Sequence, residues 1–182
     1  MDAGNRSSVR RWTIATSYDS ITDEQAALIE ASQIFFVASV APDLSGGPAG
    51  QGPVNLSPKG GSPLHIIDRN RVAYLDYTGS GNETGRHAMA GGPITVMVMS
   101  MASEDAAVVR LFGHATVTPV EQSDLRDTLL DAPADDIELP VRQAVDIRIE
   151  STQTSCGYGV PVYQFVKQRV RAERGRRYKT PV

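Results

Sequence analysis

Three short segments carry the residue types that could hold or transform a small molecule. The first is the run YTGSGNET at 77–84, which follows the apolar stretch VAYLD at 72–76. Small hydroxyl, glycine and amide residues make a poor core but can surround an anion. Gly79 and Gly81 free the backbone, Asn82 or Thr84 can open a helix, and N–H groups at a helix start attract negative charge. Ser80, Asn82 and Thr84 would then act as neutral donors and Arg86 as charge compensation, forming a phosphate cradle. The plainer alternative is a strand-to-helix turn in which Asn82 or Ser80 only caps the helix.

The second segment, GPVNLSPKGG at 52–61, alternates Val54 and Leu56 against Asn55 and Ser57 before Pro58 and Lys59. Alternation sends the two sets to opposite faces of a strand. Asn55, Ser57 and Lys59 could thus present an amide, a hydroxyl and a cation to a polar ring edge or a phosphate, unless they form an exposed face ending in a turn. The third, TSCGYGVPVYQF at 154–165, sets Tyr158 between Gly157 and Gly159, with Pro161 following. Tyr158 could stack on a flat cofactor. Cys156 is a conceivable nucleophile, but no histidine is near it in sequence and packing is the preferred role.

His65, His87 and His114 lack the spacing that puts two ligands on one helical face, so no metal site is expected. A Gly-Lys-Ser/Thr phosphate loop, a G-x-S-x-G elbow and a strand-anchored G-x-G-x-x-G are all missing from the sequence, which disfavours phosphoryl transfer, serine hydrolysis and a Rossmann-type nucleotide site. No catalytic residue is assigned.

The elements that must position these segments are mostly strands. Thr22 and Gln25 form a capping-box pattern that predicts a helix over 23–33. Strands are expected at 34–40, 53–57, 64–68, 71–77, 94–101, 107–118 and 142–151, bounded by Gly, Pro, Asp or Asn. Short helices are expected over 83–90 and 120–130, with a last turn or two near 161–168. Six or seven strands with few helices imply an α+β, mainly β fold, an antiparallel barrel closed or nearly so, because closure removes exposed edges. The chain of 182 residues, 41% hydrophobic, suits one domain. Residues 21–168 form that domain, between an arm at 1–20 and a basic tail at 169–182.

A net charge of -3 gives no global reason to bind nucleic acid or an acidic membrane face. Arg10 and Arg11 faintly suggest a twin-arginine signal, but no apolar run approaches the ~20 residues that span a bilayer. The single cysteine excludes an intrachain disulfide framework. The chain therefore reads as cytoplasmic, neither exported nor inserted in a membrane.

Taken in order, NLSPKG, VAYLDYTGSGNET, GGPITVMVM, VVRLFGHATV and SCGYGVP resemble the pyridoxamine 5'-phosphate oxidase-like, FMN-binding split-barrel family, and more narrowly its oxidase-related branch. The order and spacing carry the resemblance, over 21–166. It implies a homodimer of six-stranded split barrels with FMN at the interface. It also implies that Asn55, Leu56, Ser57 and Lys59 line the flavin, Lys59 as a cation near the phosphate. Tyr77 and Thr78 match the family's pair before the phosphate turn, where Ser80, Gly81, Asn82, Glu83, Thr84 and Arg86 would follow. Two basic residues of the oxidases fall near Glu83 and Thr84 here. SCGYGVP replaces the oxidases' late Trp and Arg-Leu-His segment, so Gly157 and Tyr158 would border the substrate or the partner subunit. The activity implied is an FMN-dependent oxidoreductase on a small or planar organic substrate, not vitamin B6 oxidation. A flavin carrier or sensor, or a deazaflavin- or haem-binding barrel, are the alternatives.

Overall fold

The computed structural model describes residues 15–44, 46, 52–79, 81–131, 140–169 and 173. Expectations for Ser80, for 1–14 and for most of the basic tail lie outside these residues. The described chain is mainly β: β1 (Ala15–Tyr18), α1 (Asp23–Ala31), β2 (Ile34–Val40), β3 (Val54–Gly60), β4 (His65–Asp68), β5 (Arg71–Tyr77), α2 (Glu83–Met89), β6 (Pro93–Met99), β7 (Ala107–Thr118), a 3₁₀ turn (Val120–Gln122), α3 (Arg126–Asp131) and β8 (Val141–Cys156).

The strands form one antiparallel sheet in the order β3-β2-β6-β7-β8-β5-β4. β8 is long enough to pair with β7 along one edge, while its other edge takes β5 in its first half and β1 in its second. The sheet thus has eight described strands, not six, and it is not closed by backbone pairing: β3 and β4 stand at its two ends. Residues 15–18, assigned from sequence to an arm, are the additional strand β1. A register shift between Phe112 and Gly113 leaves Glu150 of β8 without an opposite residue. Such a bulge bends the ladder and helps the sheet curl around its contents.

Inside the curl, Val37, Tyr74, Ile94, Val96, Leu111, Val145 and Ile147 form the main core. β2 and β6 alternate buried and part-buried positions, as half-covered strands do. β5 is instead buried from Val72 to Asp76. Val72 and Tyr74 face the main core, whereas Ala73 and Leu75 meet Val120 of the 3₁₀ turn, Leu125 of the connection after it and Leu129 of α3. Covering both faces erases the period-2 pattern.

The capping box forms as expected: Gln25 N–H donates to Thr22 Oγ1, and Thr22 N–H donates to Gln25 Oε1. Gln25, 1% exposed, also donates to Thr154 Oγ1 and accepts from Thr152 Oγ1, which docks α1 on β8. The single helix expected over 120–130 is split, because Ser123 Oγ accepts the Leu125 N–H and starts α3 anew. No helix forms over 161–168. Pro161 lacks a donor, and Tyr163 N–H is given to Met101 O, which holds this segment extended along 99–102.

Candidate functional site

β3 alternates as its sequence implies. Val54, Leu56 and Pro58 point outward, Val54 and Leu56 being 65% and 64% exposed, while Asn55, Ser57 and Lys59 turn inward. Asn55 donates to Thr84 Oγ1 on α2 at 3.0 Å and is in mutual contact with Ser57. Lys59 Nζ reaches Asp76 Oδ1 on β5 at 2.6 Å. Because β3 and β5 share no backbone pairing, these contacts span the seam of the open sheet. The structure therefore brings Asn55, Ser57 and Lys59 to one face with Asp76 and Thr84, leaves the Leu56 side chain on the other, and packs Tyr77 against the second core cluster.

Asp76 is the hub of this region. Its Oδ2 accepts from Gln143 Nε2 at 3.0 Å and lies 3.8 Å from Arg142 Nη1. Gln143 uses the same amide group to reach Asn82 Oδ1 at 2.8 Å, so Asn82 does not cap α2 with its side chain. Arg142 donates to the carbonyls of Gly81, at 2.6 Å, and Gly79. The turn thus directs two carbonyl oxygens to a guanidinium. Thr78 N–H is likewise committed, to Pro140 O.

Glu83 pairs with Arg86 at 2.8 Å, and its carboxylate folds against the turn. A Cβ on Gly81 would meet the Glu83 carboxylate, the movable end of a flexible side chain, so glycine permits this approach without displacing it. Gly85 serves the Asn82 to Gln143 contact, since a Cβ there would be 2.5 Å from Asn82 Oδ1. An acidic group therefore sits where the sequence reading put an anion, and each of the nearby cations Lys59, Arg86 and Arg142 already has an acidic or carbonyl partner.

Beneath Lys59 lies Tyr74, its ring centroid 5.5 Å from Nζ and edge-on to Phe35. Tyr74 has no exposed surface, and its hydroxyl has no partner among the described residues. Burial foremost, with the Asp76 charge second, holds this phenol well above its ordinary pKa. Burial also raises Tyr77 and lowers His65. His87, 1% exposed, lies between Ser39 Oγ and Gly52 O, each at 3.0 Å, and fastens the end of the 41–53 connection to α2.

A cleft of about 1080 Å³ opens from Lys59, Asp76 and Tyr77 toward the extended segment 163–169. Phe35, Met99 and Tyr163 are among its walls. Small-molecule sites commonly enclose about 300–1,000 Å³ with apolar walls and a few polar groups; this cleft is of that size, with apolar walls and a larger share of polar and charged residues, Lys59, Asp76, Lys167 and Arg169 among them. Gly157 and Tyr158 are not among its lining residues. Tyr158 is 93% exposed in the chain, and Cys156 is an exposed free thiol whose Sγ accepts from Tyr158 N–H.

Sequence reasoning missed Asp76, Arg142 and Gln143. An acidic residue inside the apolar run VAYLDY was the available signal, since a buried carboxylate needs partners. Arg142 and Gln143 carried no local signal, because only the β5–β8 register sets Gln143 opposite Asp76. Among the described residues no group of three or more His, Cys, Asp or Glu side chains converges, and no helix is long and apolar enough to cross a membrane.

No family model matches the chain. A curated Aspergillus flavus protein, the pyridoxamine 5'-phosphate oxidase family protein ustO, is 31% identical over 148 residues, covering 80% of this chain and 55% of that protein. The chain thus spans about half the length of the curated relative it matches. Among solved structures, a candidate pyridoxamine 5'-phosphate oxidase from Lactobacillus delbrueckii has a TM-score of 0.53 at 21% identity, covering 74% of this chain and 94% of that one. HupZ of group A Streptococcus has a TM-score of 0.51 at 21% identity, covering 71% and 90%. A conserved protein from Corynebacterium diphtheriae has a TM-score of 0.51 at 15% identity, covering 79% and 98%. At these identities the structural likeness is one of fold.

Proposed function

We propose that this chain, which belongs to the pyridoxamine 5'-phosphate oxidase-like family, binds a flavin in the cleft beside Lys59, Asp76 and Tyr77 and is an oxidoreductase. FMN is the proposed form, and a small or planar organic molecule the proposed substrate. The observation that carries the reading is an aromatic-walled cleft that reaches Lys59, at the end of the inward face of β3, and Tyr77, where the hydroxyl- and glycine-rich segment begins. Phe35, Met99 and Tyr163 would wall the ring, Lys59 would offer an N–H to a ring edge, and Thr78 and Thr84 would lie toward the phosphate. A bound flavin supplies electron and hydride transfer, and the protein supplies binding, orientation and exclusion of water.

The fit is better for the ring than for the phosphate. Glu83 and the commitments of Lys59 and Arg86 leave the turn short of uncompensated positive charge. A homodimer is part of the proposal. Val54 and Leu56 stand exposed on the outer face of an edge strand, a surface that a second copy could cover. Cytoplasm is the proposed compartment, on the lone free cysteine.

The test is the absorption spectrum of the purified protein, followed by titration with FMN and with riboflavin. Flavin bands or saturable binding support the reading. Deazaflavin or haem bands would replace the ligand, and a colourless protein that binds neither flavin would overturn it. Reduction of bound flavin by a nicotinamide donor, with reoxidation by an acceptor, separates an enzyme from a carrier.

A further inference from the structure

We propose that Asp76 determines the ligand preference at the Lys59 end of the cleft: as an internal counter-ion to Lys59, it makes that end favour an uncharged planar group over an anionic group that must displace it. The inference rests on the flavin reading only for the flavin arm of its test.

Three observations carry it. Lys59 and Asp76 both line the cleft, 2.6 Å apart, with side chains 22% and 8% exposed. An ion pair so little hydrated is screened weakly by water or salt. Asp76 is also anchored independently of Lys59, because Gln143 holds its second oxygen at 3.0 Å and Arg142 stands 3.8 Å away. The carboxylate cannot swing aside to release the lysine without giving up the Gln143 hydrogen bond. Finally, Arg142 is spent on the Gly79 and Gly81 carbonyls and Arg86 on Glu83, so these neighbours do not substitute for Lys59. Lys167 and Arg169 line the cleft from the 163–169 segment, Lys167 being paired with Glu173. An anion seated at Lys59 must win it from a fixed carboxylate, whereas a neutral ring edge can accept a remaining ammonium N–H with the pair intact.

Replacing Asp76 by Asn keeps the shape and the amide acceptor but removes the charge. A charge-assisted contact is worth about ten- to a hundredfold in affinity, so Asp76→Asn should bind anions at least about tenfold more tightly. Wild type, Asp76→Asn, Lys59→Met and the double variant are titrated calorimetrically with inorganic pyrophosphate, and then with riboflavin and FMN. The expected result is a gain of about tenfold or more for pyrophosphate in Asp76→Asn that riboflavin does not share, and loss of that gain in the double variant. Asp76→Ser repeats the comparison if the Asn variant melts early. The inference is overturned if the charge-removing variants gain no pyrophosphate affinity, or if the gain survives in the double variant. A pyrophosphate gain in proteins that bind neither flavin sustains the role of Asp76 and sinks the flavin reading alone.

Discussion

Tyr74→Phe should stabilise this protein, against the usual direction of core substitutions. Tyr74 has no exposed surface and its hydroxyl has no partner among the described residues. A buried hydroxyl left without a hydrogen bond costs about 1–3 kcal/mol. Phenylalanine removes that group and keeps the ring, hence the edge-on contact with Phe35 and the position under Lys59. A gain of about 1 kcal/mol or more is expected at pH 7, raising the melting temperature by about 2–4 °C per kcal/mol in a domain of this size. A second signature comes from linkage. Burial holds the folded-state pKa of Tyr74 above its unfolded value of about 10. The stabilisation of the neutral phenol is complete below pH 10 and is lost as pH rises from there toward the folded pKa, because only the unfolded chain ionises. Wild type should therefore fall further behind Tyr74→Phe, by about 1 kcal/mol, by pH 11, one pH unit into that window. Urea unfolding of both proteins at pH 7.5 and pH 11 measures the two quantities, and other titrating groups cancel in the difference. A variant less stable than wild type by more than about 0.5 kcal/mol at pH 7.5 would show that the hydroxyl is bonded. A difference that did not grow by pH 11 would refute the burial argument.

Thr22→Ala removes one arm of the capping box and should cost about 1 kcal/mol, with hydrogen exchange rising first in α1. Ile147→Ala opens a cavity at a fully buried position of β8 and should cost about 2–5 kcal/mol by urea unfolding; a smaller loss would mean that the core collapses around the gap. Cys156→Ser, at an exposed strand end, should change stability by less than about 0.5 kcal/mol and leave flavin binding and turnover intact. Loss of turnover with flavin still bound would instead assign the thiol a chemical role.

Local rules written in consecutive residues were legible in the sequence. The capping box of α1 and the alternation of β3 follow from hydrogen-bonding chemistry within a few residues or from a period of two, and the boundaries of β5 from the turn-forming residues that flank it, so no partner is needed to read them. The grouping of Asn55, Ser57 and Lys59 on one face followed from the same alternation. What Lys59 touches did not follow, nor did the destination of the 161–168 segment, the split of the 120–130 helix or the pairing of β1. All but the helix split, which Ser123 makes locally, depend on a partner far along the chain: Asp76 across the open seam, Met101 beside Tyr163, the second half of β8 beside Ala15–Tyr18. The charge of the site was decided in the same way. Sequence composition counts Lys59 and Arg86 as cations, and the i,i+3 spacing of Glu83 and Arg86 on one helix already permits that pair, but only the fold sets Asp76 at 2.6 Å from Lys59, and at such distances the pairing, not the count, determines what an incoming ligand meets.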